Sequence, residues 1–412
     1  MPRMSRQAAF WTVGAVFLLL LTASAAPTPL YGVYQHQWHF STATVTVIFG
    51  VYALALLASL LVLGRLSDHV GRRPVIIAGL ACNAVACVVW WSAAGVGALY
   101  LARALQGVSV GLATGAIGAA LLESQPPGTA RAGMVTSAAP TLGLGAGALG
   151  VRALAQYGPA PTHLVWVLLL AAFVAGILAV AVMPEPGTTR AGWLRSLRPT
   201  VYVPRGAGAV FAVALPATIA TWSLSAFYLS LGPKLVSGLL GSTNVMWGGL
   251  AAFLLAGIGS FGAVAAARVT PTVGVVAGCT VLFAGAALTF GAIAASIPAL
   301  FLLGTGIAGV GFGATWNGAY RMLTADVTAG DRAGLVAAIF VVAYLSFSIP
   351  TIAAGVASQH YGIRDTALGY DAVVAVLVAV AAVRTALRRG RNGFGGAAKR
   401  EITDRDEAIR RG

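Results

Sequence analysis

The chain has 412 residues, of which 58% are hydrophobic and 9% charged, with a formal net charge of +15. A water-soluble domain of this length could not cover so much apolar surface with so few charges, so the composition points to lipid as the solvent. The positive charge is not a nucleic-acid footprint, because the basic residues fall in short breaks between apolar runs and at the C-terminal end, not on one amphipathic face.

Arg3 and Arg6 precede a first apolar run at 8–26, which closes on Ala23-Ser24-Ala25. That pattern mimics a secretory signal with its cleavage site. We expect an uncleaved span instead, because its loss would leave eleven spans and send the basic loops to the wrong side. Pro27 and Pro29 should loosen its outer end. Eleven further runs follow at 43–63, 74–94, 97–122, 132–151, 163–183, 207–231, 244–267, 271–293, 297–320, 333–356 and 367–387. About 20 apolar residues in a helix cross a hydrocarbon core of roughly 30 Å. Pro140, Pro216 and Pro350 lie inside runs and do not break them, since neighbouring helices can re-satisfy the backbone. The expected class is an all-α membrane protein with twelve transmembrane helices.

With the N-terminus in the cytoplasm, the inner segments hold 22 of the 26 Lys and Arg, while Arg152, Lys234 and Arg364 fall outside. This positive-inside bias places the N- and C-termini in the cytoplasm and implies a multi-pass protein of the plasma (inner) membrane. Cys82, Cys87 and Cys279 lie in apolar runs, and the five histidines, His36 and His39 included, lack ligand spacing. Neither a disulfide framework nor a metal site is expected.

The halves superpose with an offset near 201 residues. Arg131-Ala132-Gly133-Met134-Val135 matches Arg332-Ala333-Gly334-Leu335-Val336, Gly107–Gly111 resembles Gly309–Gly313, and Ser41-Thr42 matches Ser242-Thr243. Duplication divides the chain into a six-helix bundle at 1–183, a linker at 184–206, a second six-helix bundle at 207–387 and a polar tail at 388–412, expected to be a mobile cytoplasmic end. Two related bundles are an architecture of transporters, with the substrate site near the midplane between them.

Between spans 2 and 3 the chain reads Gly64-Arg65-Leu66-Ser67-Asp68-His69-Val70-Gly71-Arg72-Arg73-Pro74. This resembles the loop signature of the major facilitator superfamily, Gly-x-Leu-x-Asp-x-x-Gly-Arg-Arg/Lys. Gly64 would allow close helix approach, and Gly71 a turn with positive φ. Asp68 is an anion suited to a helix N-terminus. The resemblance implies that this helix is number 11, beginning near Gly334, and that Arg72 pairs with Glu123 at the inner end of helix 4. Such a cluster would gate, latching the cytoplasmic side in the outward-open state, while Arg65 and Arg73 also anchor topology.

In helix 4, Arg103 is followed by Gln106 and Gly107 on one helical face, matching a second family pattern. An arginine at a helix centre costs about 2.5–3.5 kcal/mol on insertion scales, so it should face a cavity or a partner. Proton coupling or anion contact is one reading; snorkelling to the outer surface is the other. In helix 5, Ala139-Pro140-Thr141-Leu142-Gly143 with Gly145, Gly147 and Gly150 resembles an antiporter signature, except that Ala139 replaces its first glycine. It is expected to pack against helix 8 at Gly257 and Gly259, and in the family it marks exporters more than importers.

An acidic residue inside helix 1 is missing. The carboxylates left for proton exchange are Asp68, Glu123 and Asp371, the last expected at the interface. Tyr31, Gln106, Trp222, Tyr228, Trp316, Asn317 and Tyr320 are candidate cavity residues, and a largely uncharged aromatic cavity suits amphiphilic or apolar substrates. The leading expectation is a proton-coupled exporter of drugs or metabolites; the alternative is an importer of a sugar, organic acid or other small solute. The chain lacks a His-Glu-x-x-His metal motif, a nucleophile with a matching base and a nucleotide-binding loop. No enzymatic activity and no cofactor are therefore expected, with a proton gradient as the energy source. The expected partners are the lipid bilayer, a small-molecule substrate and protons, with no nucleic acid, and the chain is expected to act as a monomer.

Overall fold

The computed structural model describes residues 4–126, 129, 131–187, 191–241, 246–325 and 327–411. Their regular structure is entirely helical. Among the described residues, twelve helices are long and apolar enough to cross a membrane: α1 Arg6–Trp38, α2 Thr42–Leu63, α3 Arg72–Trp91, α4 Val96–Ser124, α5 Arg131–Tyr157, α6 Thr162–Ala181, α7 Gly208–Ser230, α8 Met246–Ala267, α9 Pro271–Ala295, α10 Pro298–Thr324, α11 Gly334–His360 and α12 Gly362–Arg388. An even number of crossings puts both chain ends at one face, here the terminal face; the opposite one is the far face.

Packing repeats with a period of six helices. In the first half α1 packs on α5, α2 on α4, and α3 on α4 and α6; in the second, α7 packs on α11, α8 on α10, and α9 on α10 and α12. The halves meet through α2 with α11 and α5 with α8, pairs that exchange under the same operation. Of the paired segments that suggested duplication, Ser242 and Thr243 lie outside the described residues, as does Arg190 of the linker. Within that linker, Trp193–Ser196 forms one helical turn.

Three helix ends depart from expectation. The first span does not stop at residue 26: it breaks at Ala26-Pro27 and continues through Tyr31–Trp38. That extension is held by stacked rings, Tyr34 on Trp38 at 5.0 Å and on Trp90 at 5.9 Å, with Trp90 on Trp166 at 4.8 Å. Each such pair contributes about 0.5–1.5 kcal/mol beyond area burial. α5 runs on to Tyr157, so Arg152 is not a loop residue but is buried in the helix, its aliphatic stem against Gly249 of α8. The backbone beyond Arg388 stays helical to Arg411, past the expected end of the last span at residue 387, in keeping with the helix propensity of its Ala, Arg, Lys and Glu residues.

Helix α5 meets α8 on both sides of residues 253–257, whereas the crossing of α2 with α11 lies toward the far face. Phe49 of α2 stacks on Phe347 of α11 at 5.0 Å, and Lys234 donates to Thr42 Oγ1 at 2.9 Å. A Cβ on Gly50 would meet Ile352 Cδ1 at 2.8 Å, and one on Gly355 would meet Thr46 Cγ2 at 2.6 Å. Small residues let the two backbones approach this closely.

Candidate functional site

The break in α1 explains the charge in α4. A helix N–H bonds the carbonyl four residues earlier, and proline has none. Pro27 therefore leaves Ala23 O without its helical donor, and Gln106 Nε2 donates to that oxygen at 3.0 Å. Arg103 Nη1 donates to the neighbouring Ser24 O at 2.7 Å and to Gln106 Oε1 at 3.2 Å, while Nε donates to Tyr31 Oη at 2.6 Å. The guanidinium carbon sits 5.6, 5.3 and 5.2 Å from the ring centroids of Tyr31, Phe49 and Tyr52, within cation–π range. Arg103 is 0% exposed, which excludes snorkelling. Carbonyl dipoles and π faces hold the cation, and its Nη2 has no hydrogen-bond partner among the described residues. Gly107, one turn on, serves a second helix: a Cβ there would meet Ala55 Cβ and Leu56 N of α2, each at 2.9 Å.

At the terminal face the loop signature forms one ionic cluster. Gly71 has φ +107°, the left-handed region that favours glycine, and the turn it makes starts α3. Gly64 lets α2 approach α4, where a Cβ on Gly115 would lie 2.7 Å from Gly64 O. Arg72 grips Glu123 with two donors, Nη2 to Oε1 at 3.0 Å and Nε to Oε2 at 3.3 Å. Its Nη1 reaches Ser67 Oγ at 2.8 Å and also pairs with Asp68. Arg6 Nη2 donates to Glu123 O at 2.8 Å, and Arg73 Nη1 to Met183 O at 3.4 Å.

Asp68 therefore bonds within its own half, not at the N-terminus of α11. The helix leading into α11 starts at Ala329 and is capped by Thr328, whose hydroxyl accepts from Asp331 N at 3.4 Å. Tyr202 of the linker donates to Asp331 Oδ1 at 2.8 Å, and its ring packs on Gly334. The Asp331 carboxylate holds this exposed phenol above its usual range. Sequence reasoning missed Glu185, which accepts from Arg72 N at 2.7 Å and Arg73 N at 3.1 Å. It gives the start of α3 the anionic cap that Asp68 was expected to give α11.

The helix-5 glycines divide their work. Gly143 and Gly147, flanking Leu144–Ala146 after Pro140, face α1: a Cβ on Gly143 would lie 2.9 Å from Leu21 Cβ, and one on Gly147 3.0 Å from Thr22 Cα. Gly145 faces α8, where a Cβ would lie 2.7 Å from Gly257 N, inside the π turn Phe253–Gly257. Gly259, expected as a second contact, turns to Phe312 of α10 at 3.0 Å.

The candidate cavity residues fall into three places. Trp222 of α7 and Trp316 and Tyr320 of α10 meet Phe340, Tyr344 and Phe347 of α11. Trp222 lies 5.2 Å from Trp316 and 4.8 Å from Tyr344, and Trp316 lies 5.8 Å from Tyr320. These rings are half-buried except Phe347, which is buried and stacks on Phe49 across the halves. Asn317, next to Trp316 in the chain, is buried. Tyr31 and Gln106 belong instead to the Arg103 clamp. Tyr228 is buried inside the second half, 3.0 Å from Thr305 Oγ1.

The family model of the Major Facilitator Superfamily matches residues 10–275, more than half of the chain. This chain belongs to that superfamily. It is 32% identical over 115 residues to the inner membrane transport protein YajR of Escherichia coli, 28% of this chain and 24% of that one. It is 36% identical over 106 residues to an uncharacterized transporter of Rickettsia bellii, 24% of this chain and 26% of that one. The matches thus span about a quarter of these relatives' length. Among solved structures, a bacterial homologue of the human lysosomal transporter Spinster, inward-facing and unoccupied, superposes with a TM-score of 0.72 at 14% identity, covering 93% of this chain and 98% of that one. That likeness concerns the fold alone.

The second half holds a buried carboxylate. Asp371 is not at the interface but 8% exposed within the bundle, where Thr289 Oγ1 lies 2.7 Å from its Oδ2. The sequence signal was present, since its neighbours on α12 are apolar or small; an expected later start for that helix misplaced it.

Proposed function

We propose that this protein is a secondary active transporter that exports small amphiphilic organic compounds by alternating access, driven by proton movement down its gradient. The observation that carries the reading is the half-buried set of rings at Trp222, Trp316, Tyr320, Phe340 and Tyr344 in the second half, of which Trp222 and Tyr344 also pack against the core of the first. Uncharged aromatic walls suit apolar and cationic amphiphiles better than polyanions. Arg103 presents its charge to carbonyls and ring faces, so it positions the broken α1 beside this chamber and does not recruit anions to it. The direction of transport rests on the helix-5 resemblance, and the cytoplasmic placement of both termini on the distribution of Lys and Arg. The protein acts as a monomer in the plasma membrane, and no cofactor is required.

The test is flux in proteoliposomes of known orientation, with fluorescent amphiphilic cations as probes and an imposed pH gradient. Export predicts accumulation on the side facing the far face, collapse by a protonophore, and loss of about tenfold in rate, equivalent to about 1.4 kcal/mol, for Trp222→Ala. Gradient-driven accumulation in the opposite direction would make the protein an importer. Flux that ignores the gradient would remove proton coupling.

A further inference from the structure

The second half contains a carboxylate that the aromatic chamber and the loop cluster do not use. Asp371 lies in α12, packed against α9 and α7, and is 8% exposed. An ionisable group inside a membrane bundle is costly and usually functional. Among the described residues no cation offsets it. Arg364, two turns earlier on α12, donates to Ala294 O at 2.6 Å, and Lys234 is bonded to Thr42 in the other half. Tyr228 faces it from α7, and the Tyr228 hydroxyl is engaged with Thr305 of α10. On α12 itself, Tyr370 donates to Ser223 O at 2.8 Å, and Asp365 is exposed. From α11, Tyr344 is packed on Trp222, while His360 and Tyr361 are exposed.

Thr289 Oγ1 lies between two acceptors, 2.7 Å from Asp371 Oδ2 and 2.9 Å from Ala286 O. A hydroxyl has one proton to donate. With Asp371 ionised, Thr289 donates to the carboxylate. With Asp371 protonated, the carboxyl donates to Thr289 Oγ1, and Thr289 donates to Ala286 O. Both charge states are hydrogen-bonded in one backbone arrangement, which a purely structural pair does not need.

We propose that Asp371, switched by Thr289, is a reversible proton-binding site in the second half of the transporter. A proton adds to Oδ2 and leaves from it; no other bond changes. Its use as a coupling site rests on the proton-linked reading above, whereas proton binding itself does not.

Difference infrared spectroscopy of the purified full-length protein, titrated from acid to alkaline pH, reads the carboxyl directly. We expect a protonated-carboxyl band that disappears reversibly on raising the pH, is absent in Asp371→Asn, returns in Asp371→Glu, and moves to higher frequency in Thr289→Val. A band shared by wild type and Asp371→Asn, or an Asp371 band constant across the titration, would overturn the proposal. A titrating Asp371 in a protein whose flux ignores the pH gradient would remove proton coupling and leave the site.

Discussion

Gly355→Ala places a methyl group where α11 crosses α2. Its Cβ would overlap Thr46 Oγ1 and lie 2.6 Å from Thr46 Cγ2 and 2.9 Å from Thr46 Cβ. Rotating Thr46 removes the first two contacts but not the third, so the helices must separate. Overpacking of this kind costs about 1–3 kcal/mol, and only while the far face is closed. The ratio of far-closed to far-open molecules should therefore fall by about 5- to 150-fold. Distance distributions between spin labels at Tyr157→Cys and Tyr361→Cys, both highly exposed and in opposite halves, report it once Cys82, Cys87 and Cys279 are replaced. Gly369→Ala, whose Cβ would meet nothing within 4 Å, is the control. Thr46→Gly should restore the closed distribution in the double variant, since it removes every clashing atom. Distances unchanged in Gly355→Ala would refute the idea that this crossing holds the far face shut.

Three more outcomes follow from the contacts. Gln106→Leu leaves Ala23 O without a donor and should lower stability by about 1–3 kcal/mol, read as the thermal unfolding midpoint in detergent; Pro27→Ala, which restores a backbone N–H, should recover part of the loss. Arg72→Ala should slow flux strongly while changing stability by about 1 kcal/mol or less, because its ion pairs are partly exposed; equal losses in both would make the cluster a structural brace. Gly313→Ala would drive a methyl into Gly259 O and within 2.6 Å of Gly259 C, both backbone atoms that cannot rotate away. We expect a loss of about 3 kcal/mol and poor recovery of folded protein by size-exclusion profile.

The helices were legible because hydropathy over about 20 residues is a one-dimensional signal. The Arg72–Glu123 pair was legible because a motif and a helix end place it. What escaped depended on partners from elsewhere in the chain. Arg103 shows the difference: its cost in lipid is evident from the sequence, but its partners, Ser24 O and Tyr31 Oη, lie more than 70 residues earlier, on either side of the break in α1 at Pro27. Glu185 escaped because a lone acid after a proline has no spacing to announce a cap for α3. Tyr31 and Tyr228 were grouped with Trp222 on polarity alone, although each hydroxyl is bonded inside a single half.

The internal satisfaction of the loop cluster bears on how the halves separate. If Asp68 found its partner only across the halves, opening the terminal face would strand a carboxylate, at several kcal/mol if buried. Here Arg72 takes Asp68, Ser67 and Glu123 together, and Glu185 takes the amides of α3, while Thr328 caps the helix of α11 on its own. Each half is thus complete at this face without the other. The far face, by contrast, is held mostly by glycine crossings and ring stacking, and the Lys234–Thr42 hydrogen bond beside them is exposed, so few buried polar groups lose a partner when it parts. A pair of bundles built this way can exchange one closure for the other with a small net change in free energy, which repeated cycling requires.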